Sequence, residues 1–136
     1  LRVPGWIWQG INNTNKVPLK PGAREFLVWL RQQGIRTGIA SSNGIELVET
    51  VLKAQGIQEY LESVHTCCEV PKGNLPRIFI FLVAETLGVK PEECLVFEDV
   101  PMGILAGKNA GMRVCAVEDT FSASQREEKK SLQITT

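Results

Sequence analysis

The sequence predicts an α/β fold, a three-layer Rossmann-like parallel sheet with helices on both faces, and three observations carry the prediction. Four helix-like stretches end in glycine followed at once by an apolar residue, at Gly34-Ile35, Gly56-Ile57, Gly88-Val89 and Gly111-Met112. That pattern marks a left-handed helix cap with its hydrophobic contact. After each glycine comes a strand candidate: Arg36 to Ala40, Ser63 to Cys67, Cys94 to Phe97 and Val114 to Val117. Helix and strand alternating at this spacing imply right-handed crossovers into a parallel sheet. Finally, Cys94-Leu95-Val96-Phe97 has no polar alternation, as a strand covered on both faces requires.

Taken in order, residues 1–17 read as an irregular segment. Trp6, Ile7 and Trp8 are followed by polar residues from Gln9 to Asn15, and neither half has helical spacing. An α/β core is expected over 18–121. Its first helix, Pro21 to Gln33, places Ala23, Phe26, Leu27 and Leu30 on one face, with Pro21 and Gly22 at its start. Further helices are expected over Ile45 to Gln55, after Ile78-Phe79, and over Pro101 to Asn109. Residues 122–136 read as a polar C-terminal helix or tail, because Arg126 to Lys130 are five consecutive charges of mixed sign.

The 136 residues suit one domain, and 43% hydrophobic with 22% charged residues is ordinary globular composition. Fifteen basic residues balance fifteen acidic ones, so no net field draws the chain to nucleic acid or an anionic membrane. The longest apolar run, Ile78 to Ala84, is seven residues, far below the roughly 20 that span a bilayer. No nucleic-acid or membrane partner is expected. The opening Leu1-Arg2-Val3-Pro4-Gly5-Trp6 lacks the pattern of a secretory signal and reads as the interior of a gene. Cys67, Cys68, Cys94 and Cys115 show no C-x-x-C spacing and read as free thiols of a reducing, cytoplasmic compartment. The single histidine, His65, has no partner at metal-ligand spacing.

Ligands of open α/β sheets bind beyond the carboxyl ends of the strands. There the sequence has Ser41-Ser42-Asn43-Gly44 before a helix, where hydroxyls, an amide and free N–H groups suit a phosphate. The competing reading is a capping arrangement of Asn43 with Glu46. Glu98-Asp99 ends another strand, and adjacent acids there can hold Mg²⁺ through oxygen. The competing reading makes Asp99 the cap of the next helix. Glu118-Asp119 repeats the pair and reads as solvated. Lys72 could bring positive charge to a phosphate or lie on a surface loop. A serine-hydrolase set of Ser41, His65 and Asp99 lacks the Gly-x-Ser-x-Gly elbow, since Ile39 stands two residues before Ser41.

Four stretches between Pro18 and Asp119 resemble the haloacid dehalogenase-like hydrolases, in particular their β-phosphoglucomutase-like phosphatase branch. They are Leu19-Lys20-Pro21-Gly22, Gly38-Ile39-Ala40-Ser41-Ser42-Asn43, Ile78-Phe79 with its helix, and Val96-Phe97-Glu98-Asp99-Val100-Pro101-Met102-Gly103-Ile104 through Ala110-Gly111-Met112. The resemblance implies that Ser41 binds the transferring phosphoryl group with Ser42 and Asn43 beside it, that Glu98 and Asp99 hold or orient Mg²⁺, and that catalysis involves Ser41, Lys72 and Asp99. The family lysine falls at Gly73, so Lys72 serves only through a one-residue slip, and Arg77 stands where an acid usually follows Pro76.

The family's nucleophile is the first Asp of an Asp-x-Asp-Gly motif on a strand between those of Ser41 and Glu98. This chain contains no such motif, and no stretch resembling the family's helical cap. Two functions are therefore expected side by side. The chain is a fragment of a Mg²⁺-dependent phosphohydrolase or phosphosugar mutase acting on a small phosphorylated metabolite through an aspartyl-phosphate, inactive by itself; or it is a non-catalytic phosphate-binding or interaction protein on that scaffold. In either case the sheet is expected to lack its N-terminal strand, so that the chain associates through the unpaired edges, borrows a strand in trans or places its own Val3 to Trp8 segment in the slot; association is favoured over self-repair, since Pro4 and Gly5 are poor central-strand residues.

Overall fold

The structure, a computed structural model, describes residues 2–4, 19–66, 69, 75–118 and 126–133. Strand β1, Arg2–Pro4, precedes helix α1, Ala23–Gln32, which is followed by β2, Gly38–Ser41, and α2, Ile45–Gln55. Then come β3, Ser63–Thr66, α3, Leu75–Thr86, β4, Leu95–Glu98, α4, Pro101–Asn109, β5, Arg113–Ala116, and α5, Arg126–Gln133. Single 3-10 turns at Gln58–Tyr60 and Pro91–Glu93 lead into β3 and β4.

All strand pairings are parallel: β2 with β3 in one sheet, and β1-β4-β5 in another. Two apolar layers enclose them. Ile39 packs with Leu27 and Leu30 of α1 and Val48, Val51 and Leu52 of α2. On the opposite face Ala40 and Val96 pack with Phe79, Ile80, Val83 and Ala84 of α3 and Ala106 of α4. Helices thus cover both faces, as the sequence predicts. Phe26 of α1 stacks on Trp29 and meets Phe97 of β4 edge-on at 5.4 Å, so α1 bridges the two sheets. The predicted caps form, with positive φ at Gly34, Gly56, Gly88 and Gly111.

The N-terminal segment departs from expectation. Within the stretch read as irregular, Arg2, Val3 and Pro4 pair with Leu95, Val96 and Phe97, and β1 packs alongside β2. The chain thereby occupies with its own residues the place expected to stand empty, and the inner edge of β4 is paired. A three-residue ladder tolerates proline at its end, where one lost donor breaks no continuing run of bonds. On the other side β2 and β3 remain a separate sheet among the described residues.

The C-terminal stretch read as a polar helix or tail forms α5, which packs on α4 and β5. Lys129 there is buried, and its Nζ donates to the Val117 carbonyl at 3.4 Å. Cys94 is a buried free thiol and Cys115 a half-buried one, and burial pushes the Cys94 pKa up to about 11. Cys67 and Cys68 lie outside the described residues. Among the described residues no helix is long and apolar enough to cross a membrane.

Candidate phosphate and metal site

Parallel order brings the carboxyl ends of β2, β3, β1 and β4 to one rim, and the predicted polar residues gather there. Ser41, the last residue of β2, is 1% exposed. Its Oγ accepts the Asn43 N–H at 3.1 Å, which folds the chain back over the strand end and starts α2. The capping arrangement of Asn43 with Glu46 does not form. The N-cap is Gly44, which has no side chain with which to cap the helix. The turn through Ser42 and Asn43 places the helix boundary one residue later, where an extended glycine with φ −67° and ψ 151° begins it by backbone alone. Helix α2 therefore presents its first-turn N–H groups and the positive end of its dipole beside the Ser41 hydroxyl, the arrangement that attracts a phosphate. Ser42 is exposed and Asn43 half-buried on the same turn.

Beyond β4, Glu98 is 7% and Asp99 0% exposed. Glu98 Oε1 accepts the N–H of Asp99 at 2.9 Å and of Val100 at 3.2 Å, so its carboxylate curls back over the start of α4. Asp99 is not that helix's cap: the N-cap is Val100, again without a side-chain bond, and Pro101 opens the first turn. Proline suits that first position, where the helix has no use for an N–H. Burial, followed by a hydrogen bond that protonated Glu98 donates to Asp99 and by the charge of Asp99, pushes the Glu98 pKa up to about 8. Two carboxylates held side by side out of water favour any cation that can join them.

One contributor escaped the sequence reading. A Cβ on Gly103 would fall on the Glu98 carboxyl carbon and Oε2. Only glycine lets the Glu98 carboxylate lie against the first turn of α4. The spacing from Glu98 to Gly103 lies inside a motif already quoted, but what the missing side chain admits is visible only once the turn between them is built.

The rim does not bring every predicted residue together. Lys72 lies outside the described residues. Ser41 and Glu98 end β2 and β4, the strands that pack on either side of β1. His65 is committed elsewhere: its Nδ1 meets Glu69 Oε2 at 2.6 Å and its Nε2 the Thr86 hydroxyl at 2.7 Å, on the α3 side. The serine-hydrolase set therefore does not assemble. Nor does β1 bring an acid to the rim, because Pro4 stands opposite Phe97, one register short of Glu98, and residue 5 is glycine.

The family model described as haloacid dehalogenase-like hydrolase matches residues 9–111. Hexitol phosphatase B of Escherichia coli K12 is 31% identical over 101 residues, 74% of this chain and 45% of its own. Validoxylamine A 7'-phosphate phosphatase of Streptomyces hygroscopicus is 31% identical over 102 residues, 75% of this chain and 48% of its own. The chain spans about half the length of the curated relatives it matches. Among solved structures, CbbY of Rhodobacter sphaeroides, crystallised with xylulose-1,5-bisphosphate, aligns with TM-score 0.71 at 23% identity, over 78% of this chain and 48% of that one. The HAD phosphatase of Thermococcus onnurineus aligns with TM-score 0.68 at 24% identity, over 79% and 50%. At those identities the two structures establish the α/β fold.

Proposed function

We propose a function from one premise: this chain belongs to the haloacid dehalogenase-like hydrolases. It is the phosphate- and metal-holding portion of a Mg²⁺-dependent phosphatase or phosphosugar mutase of the cytoplasm, whose whole protein acts on a small phosphorylated metabolite. One observation carries the reading. The start of α2 beside Ser41 lies at the end of β2, the buried Glu98–Asp99 pair at the end of β4, and β1 packs against both strands. The relatives named as phosphatases of small phosphorylated compounds support it.

The donor set fits magnesium, because it is made of hard carboxylate oxygens drawn together where their own repulsion needs a counter-charge. When bound, the ion would neutralise charge on a transferring phosphoryl group. Glu98, anchored by two backbone N–H groups and seated on Gly103, orients the pair. Asp99 supplies the second carboxylate. Ser41 and the α2 N–H groups bind the phosphoryl oxygens, with Ser42 and Asn43 on the same turn, and Lys72 is the proposed cation from the following loop.

The covalent step requires an attacking carboxylate, and β1 presents none. That observation favours a second reading, a phosphate-binding protein without turnover. Titration of Mg²⁺ with inorganic phosphate into the chain and into Asp99→Ala tests the shared premise. The expected outcome is weak, metal-assisted phosphate binding lost in the variant; identical responses would remove the site. Turnover of a phosphate ester by the whole protein, rather than by this chain, then separates the two readings.

A further inference from the structure

We infer that Thr66 supplies a second buried hydroxyl to the phosphate site at the start of α2, an inference that rests on the phosphate reading of that site. Thr66 ends β3 in register with Ser41, the end of β2. Neighbouring parallel strands lie about 4.8 Å apart and in-register side chains share a face. That face is the one toward α1 and α2, because Ile39 and Val64, two residues earlier in each strand, both pack in that layer. The two hydroxyls therefore sit side by side under the turn that opens α2.

Thr66 is 0% exposed, and among the described residues its Oγ1 has no hydrogen-bond partner. Its backbone N–H is satisfied by Glu69 Oε1 at 2.9 Å, so the strand end itself is well held. A buried hydroxyl left without a partner is costly, and native proteins keep such groups where a ligand, ion or water completes them. Beside a helix start whose N-cap is a glycine, the completing group with the right charge is an oxyanion. It would accept from Thr66 Oγ1, from Ser41 Oγ and from the α2 N–H groups together.

Ser63 provides an internal contrast. Its Oγ is also buried without a partner among the described residues, but it opens β3 at the opposite end, where its Cβ lies near Gly38 beneath Val83 of α3. Among the described residues no helix N-terminus opens there, so Ser63 serves as a control.

The test compares the full chain with Thr66→Val, Thr66→Ser, Ser63→Ala and Ser41→Ala, each titrated with inorganic phosphate at fixed Mg²⁺ and melted without ligand. Thr66→Val should melt no lower than the parent, since an apolar isostere relieves the unpaired hydroxyl, while its phosphate Kd rises about tenfold, the worth of one hydrogen bond to a charged group. Thr66→Ser and Ser63→Ala should bind as the parent does. An unchanged Kd in Thr66→Val, or an equal loss in Thr66→Ser, overturns the inference while a weakened Ser41→Ala leaves the phosphate site standing. A parent chain that binds no phosphate overturns both. Should Thr66→Val fail to fold, the Thr66 methyl resonance of the parent decides: it should move on phosphate addition, and its constancy overturns the inference.

Discussion

At the scale of single residues, Gly103 makes an opposite prediction to its helix propensity. Gly→Ala within a helix ordinarily stabilises by about 0.5–1 kcal/mol. Here the added Cβ meets the Glu98 carboxylate, so Gly103→Ala is expected to destabilise by about 1–3 kcal/mol and to weaken Mg²⁺ binding; urea denaturation and metal titration check the two effects. The His65–Glu69 contact sets a pH dependence. The hydrogen bond from His65 holds the Glu69 carboxyl below its usual pKa of 4.5, assisted by the Thr66 N–H against a smaller opposing effect of burial. A depressed carboxylate stabilises the fold fully above its unfolded pKa, and that contribution is lost as pH falls through the folded value. Glu69 is 39% exposed, so screening keeps the effect below about 1 kcal/mol. Between pH 6 and pH 3, the parent should lose slightly more stability than Glu69→Gln, measured as urea midpoints.

At the scale of elements, β1 is the piece on which the sheet depends. Removing residues 1–5 exposes the inner edge of β4 beside that of β2, and unpaired apolar edges invite pairing with another chain. The shortened chain is expected to melt lower and to associate in sedimentation velocity, while the parent associates less. The sequence made the helices legible: α2 and α4 run over the residues that periodicity and caps indicate. Strand β4 begins at Leu95 rather than Cys94, because an all-apolar stretch carries no alternation to mark its ends, and β2 begins at Gly38, past Arg36 and Thr37. Strand β1 was illegible for another reason. Pro4 and Gly5 argue against a central strand locally, and a waiting ladder on β4 outweighs local preference. Lys129 was hidden likewise: five charges in a row read as solvated, yet a lysine stem can lie in an apolar layer while its ammonium finds a carbonyl. At the site, Ser41, Glu98 and Asp99 were visible as strand-end polar residues, whereas Gly103 and Thr66 act through what lies across from them.

At the scale of the molecule, β1 offers no attacking carboxylate among the described residues, and the chain alone is expected to release no alcohol from a chromogenic phosphate ester above background with Mg²⁺ present. A burst of product abolished by Asp99→Asn would overturn that expectation. The division into two sheets has a further consequence. One half, β2 and β3 with α1 and α2, closes around Ile39; the other, β1, β4 and β5 with α3 and α4, closes around Val96. Their boundary crosses the middle of the molecule, joined by packing of β1 on β2, of α3 on β2 and β3, and of Phe26 on Phe97, but among the described residues by no hydrogen-bonded ladder. A boundary held by side-chain packing without a ladder is a line along which native proteins open in separate cooperative units. Amide exchange should report two opening free energies, one shared by the Ile39 strand and its helices and another by the Val96 strand and its own. Phosphate, gripped at the start of α2, should slow exchange in the first half, and magnesium in the second, so that only the two together close the boundary.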